Sequence, residues 1–247
     1  IPDLKYADKD ALMFANFLKS RIARPADTGN IKVLLNDAAT TGAFWNKLRE
    51  IMGSKDKPGR AKAGDTVFLY FSGHGDATTP ADIFLLCNDA SRGIYESGGA
   101  ININLLKNKI KMMQAEGIQV FLIMDACRIN EVSKTIYKQL FKTVLDENSG
   151  EIQMTSCSQN EKSWEDARWG SGHGVFTWYL LKGWMGLADR DSNNQVNFYE
   201  LSQYIREQVK NDLKNYGNTL QNPTVSDGND NTVLASVNPD LKRKLKQ

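Results

Sequence analysis

Apolar residues follow two different patterns along this chain, a helical repeat in some segments and short continuous runs in others. Residues 4–22 place apolar side chains three and four positions apart, which predicts an amphipathic helix. The short apolar run 31–35 predicts a strand, and 36–52 predicts a helix that starts at an Asn-Asp pair. The run 67–71 is apolar at every position, which is typical of a parallel strand that is covered on both faces.

The same alternation continues to about residue 213. Further strands are predicted at 83–87, 120–124 and 151–158, and further helices at 102–117, 174–185 and 198–213. Strands that alternate with helices of about 10 to 15 residues indicate an α/β fold. We therefore expect a mostly parallel central sheet that is flanked by helices.

Size and composition indicate one large folded domain. The chain has 247 residues, of which 41% are hydrophobic, and this is enough to fill a core. No stretch rich in Pro, Gly or Ser divides the sequence. We assign residues 1–225 to a single domain and 226–247 to a loop and a basic C-terminal tail.

Charge and hydropathy exclude several classes of partner. The 31 basic and 29 acidic side chains leave a net charge of +2, so no overall field attracts nucleic acid. No apolar run approaches the ~20 residues that span a bilayer, and no membrane partner is evident. A cytoplasmic location is expected, and it stays unknown if a signal before Ile1 has been removed. An upstream domain or a second chain also stays open as a partner.

Candidate chemistry gathers at the ends of two predicted strands. His74 comes three residues after the run 67–71, and Asp125 and Cys127 come directly after 120–124. The carboxyl ends of parallel strands share one edge of a sheet, where ligands bind. An imidazole that takes the proton of a thiol produces a nucleophilic thiolate, which suggests covalent acyl transfer. The alternative is that the cysteines are small core residues, since Cys87 and Cys157 also follow predicted strands, and position alone favours Cys127 only modestly.

The tetrapeptide SGHG occurs twice and holds both histidines of the chain, His74 and His173. The second copy runs directly into the predicted helix at 174–185, so its glycines are typical of a loop before a helix. We interpret His173 as a residue with a structural role.

Four stretches of this sequence resemble the caspase-like cysteine peptidases, and are most similar to the metacaspase and bacterial caspase-homologue branch. They are VFLYFSGHGD, VFLIMDACR, TSCSQNEKSWED and GHGVFTWYLLKG, and the resemblance extends from residue 4 to about 225. His74 precedes Cys127 by 53 residues, close to the spacing of about 50 in caspases. The resemblance implies a cysteine endopeptidase in which His74 is the general base and acid and Cys127 the nucleophile. The backbone N–H groups of Gly75 and Cys127 would then stabilise the oxyanion.

One departure from caspases bears on specificity. Caspases carry Gln two residues before the nucleophile, whereas this chain carries Asp125, as metacaspase-like members do. The resemblance adds Asp10 and Ser72 to the same S1 pocket, and two carboxylates favour Arg or Lys at P1 in a peptide or protein substrate. The alternatives are an exposed acid in a first helical turn for Asp10, and an ion pair with Arg128 for Asp125.

Two further departures leave other functions open. Residues 128–130 read Arg-Ile-Asn where metacaspases commonly have His-Ser-Gly, and no apolar strand precedes LKYADKDA as it does in the family. These features fit a catalytically silent binding or assembly module. A latent zymogen that needs processing or a partner is also open, because relatives are often cut in the region of 126–149, which is rich in Lys here.

The chemistry of a Cys/His pair requires no cofactor, but one loop has the spacing of a calcium site. The stretch DRDSNNQVNFYE offers oxygen ligands at positions 1, 3, 5, 7, 9 and 12 of an EF-hand loop. Position 6 is Asn194 instead of Gly. Calcium is therefore a candidate activator or structural ion, and the alternative is an Asp/Asn-rich turn between helices. The candidate ligands are Asp189, Asp191, Asn193, Gln195, Asn197 and Glu200.

Overall fold

A computed structural model describes residues 3–20, 28–53, 59–78, 82–91, 94–126, 152–157, 161–214, 216, 220–226 and 232–245. Its helices are α1 Ala7–Lys19, α2 Thr41–Met52, α3 Ile103–Ala115, α4 Val175–Lys182, α5 Phe198–Lys214 and α6 Pro239–Leu245. Its strands are β1 Thr66–Ser72, β2 Gly75–Ala77, β3 Ile83–Leu86, β4 Ala100–Asn102, β5 Gln119–Asp125, β6 Ile152–Thr155, β7 Glu165–Asp166, β8 His173–Gly174, β9 Gln195–Asn197, β10 Thr224–Ser226 and β11 Val233–Ser236.

The central sheet has the strand order β1-β5-β6-β10. Strands β1, β5 and β6 are parallel, and β10 is antiparallel to β6. The predicted α/β fold with a mostly parallel sheet and flanking helices is confirmed. Within the described residues β1 forms one edge of this sheet.

The two faces of the central sheet pack into two separate hydrophobic cores. Phe121 and Ile123 of β5 pack on one face with α1, α4 and α5, whereas Val120, Leu122 and Met124 pack on the other face with α2 and α3. Because both faces of β5 are covered, every position of its central run is apolar. This explains why the strand was recognisable without an alternating pattern.

Two predicted strands differ from the observed structure. Residues 31–35 adopt no regular secondary structure and pair with no described strand, and Val33 is 38% exposed. An apolar run forms a strand only where a neighbour supplies hydrogen-bond partners. The run 83–87 does form β3, but it lies between β2 and β4 in a small antiparallel sheet. Both faces of β3 are nevertheless buried, and this burial produces the continuous apolar pattern that suggested a parallel strand.

The region that the sequence assigns to a loop and tail contains regular structure. Strand β11 pairs antiparallel with β9, and α6 follows it. Val237 packs against Gly186 in the short π-helical segment Gly183–Leu187 that extends α4. This part of the chain therefore packs on the domain. In the described part of the chain, no helix is both long and apolar enough to cross a membrane.

The core on the α1 face is centred on Trp184, which is 1% exposed. Its indole ring lies 5.3 to 6.4 Å from the rings of Phe14, Phe17, Phe68 and Phe121. These contacts connect the segment after α4 to α1, β1 and β5.

Replacing Trp184 by Ala should lower the free energy of unfolding by about 3 to 5 kcal/mol, because the substitution leaves a large cavity among four aromatic rings. Urea denaturation followed by circular dichroism measures this loss. Met112→Ala, on an exposed position of α3, is the matched control and should change the stability by less than about 0.5 kcal/mol. Equal effects of the two substitutions would contradict the central role of Trp184.

Candidate active site

The ends of β1 and β5 bring two predicted site residues side by side. Ser72 and Asp125 are the last residues of these strands and are direct partners in the parallel register. The backbone N–H of Gly73 donates a 3.1 Å hydrogen bond to the Asp125 carbonyl, so pairing continues past the strand ends. His74 follows at the same edge, half-buried, and Gly75 begins β2.

The predicted nucleophile lies outside the described residues, as do Arg128 and most of the segment 126–149. The pairing of Cys127 with His74 therefore stays a prediction, as does the oxyanion role of the Gly75 and Cys127 backbone. The other two cysteines are poor candidates for a nucleophile. Burial raises the pKa of the Cys87 thiol, and Cys157 is only 1% exposed.

Asp10 is buried at the centre of the candidate S1 site. It is 2% exposed, so the alternative of an exposed acid in the first helical turn is wrong. Its carboxylate accepts hydrogen bonds from the Gly174 N–H at 3.1 Å and from the Ser72 hydroxyl at 3.4 Å. Asp10 shares the buried face of α1 with Phe14, one turn later, because side chains four positions apart lie on one helix face.

Asp125 is the second buried carboxylate, with 5% of its surface exposed. The hydroxyl of Ser163 donates to its Oδ1 at 2.6 Å, and the hydroxyl of Thr177 donates to Oδ2 at 2.7 Å. The Thr177 hydroxyl also lies 2.6 Å from the Tyr70 hydroxyl. Asp125 therefore belongs to a continuous buried hydrogen-bond network.

Gly174 separates the two carboxylates. A Cβ atom at this position would lie 2.6 Å from Asp125 Oδ2 and 3.0 Å from Asp10 Oδ2, so both acids approach the same stretch of backbone. Gly174 is also the N-cap of α4, and Asp125 accepts from the Thr177 N–H in its first turn at 3.3 Å. The positive end of the helix dipole favours negative charge at this position.

Burial nevertheless makes both acids hard to ionise. The pKa of Asp10 rises from 3.8 to about 6, mainly because of burial and also because of the charge of Asp125, while the contacts with His173 and Gly174 limit the rise. Burial likewise raises the pKa of Asp125, against the hydrogen bonds from Ser163 and Thr177. A cation brought between the two acids would favour their ionised forms.

His173 is part of this site, which the sequence interpretation missed. Its Nδ1 lies 2.8 Å from Asp10 Oδ1, and its ring stacks on Trp178 at 5.9 Å with an angle of 15° between the planes. It lies in β8, which pairs with β7, instead of in a loop. The repeated SGHG was the available signal, but the partner of the second histidine is 163 residues away in sequence.

The structure thus brings Asp10, Ser72 and Asp125 together, as the S1 prediction requires, although their role in binding a substrate stays a prediction. Ser163 and Thr177, which hold Asp125, were not singled out from the sequence.

The candidate calcium loop is a separate cluster. One carboxylate oxygen from each of Asp189, Asp191 and Glu200 lies within 4.8 Å of the other two. The side chain of Asn193 bonds to Asp191 and accepts from the Gln195 N–H. The structure therefore brings the three acids of the predicted loop together, and their binding of calcium stays a prediction.

Comparison with known protein families identifies the family of this chain. The sequence matches the caspase domain family over residues 1–233, and the chain belongs to that family. The match supports a cysteine peptidase type of function in general, without specifying the branch of the family. No curated protein matches the chain significantly.

The raised pKa of Asp10 makes its contribution to stability depend on pH. The folded state favours the protonated acid more than the unfolded state does, so this contribution is present below pH 4 and is lost as the pH rises through about 6. Relative to Asp10→Asn, the wild type should lose up to about 3 kcal/mol of unfolding free energy across that window. Urea denaturation from pH 4 to 7 measures the difference. Asp8→Asn, which neutralises another acid of the same helix, is measured in parallel as the control. A constant difference for Asp10→Asn over this range would contradict the expectation.

Gly174→Ala should destabilise the protein by about 1 to 3 kcal/mol, because the added methyl group would contact both buried carboxylates. Gly42→Ala is the matched control. A Cβ atom at Gly42, within α2, meets nothing within 4 Å, so this substitution should leave the stability unchanged or raise it. Thermal denaturation of both variants tests whether the two carboxylates lie this close to Gly174. An unchanged melting temperature for Gly174→Ala would argue against it.

Proposed function

We propose that this protein is a cysteine endopeptidase that cleaves peptide or protein substrates after Arg or Lys. The observation that supports this specificity is the pair of buried carboxylates, Asp10 and Asp125, which meet at Gly174 beside Ser72. Two ionised acids held next to each other in a buried site are unfavourable unless a positive charge compensates them. A guanidinium or ammonium group at P1 supplies that charge and several hydrogen-bond donors.

The proposed chemistry uses protein groups alone. His74 takes the proton of the Cys127 thiol, and the thiolate forms a bond to the scissile carbonyl carbon. The carbonyl oxygen becomes an oxyanion that accepts hydrogen bonds from the backbone of Gly75 and Cys127. His74 then donates its proton to the leaving amine as the C–N bond breaks. Water, deprotonated by His74, hydrolyses the thioester and restores the thiol.

The second histidine, His173, occupies a position that a substrate cation would need. It contacts Asp10 Oδ1 at 2.8 Å, and its side chain is 12% exposed. Asp10 itself is nearly inaccessible to solvent. We therefore expect a P1 guanidinium to reach Asp10 by displacing the His173 ring, with Ser72 remaining as a neighbouring polar contact.

A catalytically silent binding or assembly module is the second candidate, and a latent zymogen is the third. The Arg-Ile-Asn sequence at 128–130, where metacaspases commonly have His-Ser-Gly, favours the silent module. The presence of both His74 and Cys127 favours the enzyme, because a silent module has no need of a thiol and an imidazole at these two positions.

A panel of fluorogenic peptides with Arg, Lys, Asp or Leu at P1 tests the proposal. The wild type should hydrolyse only the Arg and Lys peptides, and Cys127→Ala should abolish this turnover. His74→Ala should lower kcat by about 10²- to 10⁴-fold. Asp10→Asn and Asp125→Asn should lower kcat/KM for the Arg peptide at least about tenfold, because each removes one negative charge from the pocket.

Asp8→Asn and Cys87→Ala are the controls and should keep full activity. The side chain of Asp8 bonds to Lys9 and Asn36 and that of Cys87 to Thr41, and none of these partners is a candidate S1 residue. Each assay is repeated with calcium and after prolonged incubation, with intact mass recorded to detect self-cleavage. Turnover that survives Cys127→Ala would overturn the assigned nucleophile. Wild-type protein that is folded, yet hydrolyses no peptide under any of these conditions, would reject an active peptidase in favour of the silent module or of a latent zymogen that needs a partner.

A further inference from the structure

The segment between α4 and α5 carries a cluster of acids outside the S1 site. One carboxylate oxygen from each of Asp189, Asp191 and Glu200 lies within 4.8 Å of the other two. Three carboxylates this close repel one another unless a cation lies among them. Proximity alone does not establish a metal site, so the partners of each acid decide what the cluster can bind.

Asp189 is the most deeply buried member of the cluster. Its side chain is fully shielded from solvent, and its Oδ1 has no hydrogen-bond partner among the described residues. Leaving a buried carboxylate oxygen without a partner is costly, whereas a metal ligand needs an oxygen in this state. The unpaired Oδ1 of Asp189 is therefore an oxygen that is available to coordinate a cation.

The other oxygen of Asp189 already binds a cation of the protein itself. The ammonium group of Lys242, on α6, lies 2.7 Å from Asp189 Oδ2 and 3.0 Å from the Asp189 carbonyl oxygen. The nearby Arg190 does not compensate the cluster, because its guanidinium pairs with Glu207. One ammonium group thus faces three carboxylates, and the cluster keeps an excess of negative charge.

The backbone of the loop is compatible with calcium coordination. Asn194, at position 6, adopts φ 62°, the left-handed conformation for which EF-hand loops use Gly at this position. Positions 7 to 9 form β9, and α5 starts at position 10, so that Glu200 at position 12 lies in its first turn. The Glu200 carboxylate accepts the N–H groups of Arg190 and Asn197, one on each oxygen, and each oxygen keeps a lone pair.

We propose that residues 189–200 form a calcium site and that Lys242 is an internal cation that competes with calcium for it. A calcium ion bound through Asp189 would lie close to the Lys242 ammonium and repel it. Calcium binding should therefore release Lys242, and with it the contact of α6 to this loop. The calcium-bound loop and the docked C-terminal helix are alternative states of the same cluster.

Calcium titration of the full chain, by isothermal calorimetry and by terbium luminescence, tests this proposal. We expect wild-type binding in the range of about 10⁻⁵ to 10⁻³ M. Lys242→Gln should tighten it about tenfold, because the variant removes the competing charge. Lys244→Gln makes the same change in net charge on an exposed position of α6 and should bind like the wild type.

Two acid variants test the ligands. Asp189→Asn removes the negative charge of the carboxylate and with it the ion pair to Lys242, so the folding of this variant is checked by circular dichroism. Asp191→Asn leaves that ion pair intact and should still weaken calcium binding at least about tenfold. Hydrogen exchange of residues 239–245 should increase when calcium is added to the wild type. The proposal is overturned if neither the wild type nor Lys242→Gln binds calcium up to about 10 mM, or if Lys242→Gln and Lys244→Gln bind it equally.

Discussion

The burial of two carboxylates at the start of α4 is the constraint on which the candidate site depends. Asp10 arrives from α1 and Asp125 from β5, and the backbone of Gly174 lies between them. Desolvation raises the pKa of both acids, and the hydrogen bonds from Ser163, Thr177 and the start of α4 offset part of that cost. A folded domain retains such a pair against the desolvation cost, which is consistent with a binding role.

One continuous segment joins this site to the acidic loop. It begins at Gly174, runs through α4 and the π-helical turn that contains Trp184, and reaches Asp189. Trp184 fixes the middle of the segment to the sheet through its aromatic contacts with α1, β1 and β5. Carboxylates therefore lie at both ends of this segment: Asp10 and Asp125 approach its first residue, and Asp189 lies at its last. Each end also holds a basic side chain against a buried acid, His173 at one and Lys242 at the other.

The pattern of apolar residues predicted helices and strands well where the burial of each residue follows from its position within its own segment. The helices at 7–19 and 103–115 and the strands at 66–72 and 119–125 were recognisable because their burial follows a regular period or covers both faces. The pattern of apolar residues failed where the pairing of a strand with its neighbours decides whether a strand forms and in which direction it runs. The apolar run 31–35 has no described strand beside it, and β3 is buried on both faces although its neighbours are antiparallel.

The sequence by itself determined the α/β class, the edge of the sheet where the chemistry gathers, and the resemblance to caspase-like peptidases. Motif spacing carries that information because strand ends and turns are local features. Only the tertiary structure decided that Asp10 is buried, that His173 is its partner, and that Lys242 occupies the acidic loop. These contacts join residues 53 to 163 positions apart. Their formation depends on how helices pack on the sheet, and no local pattern records that packing.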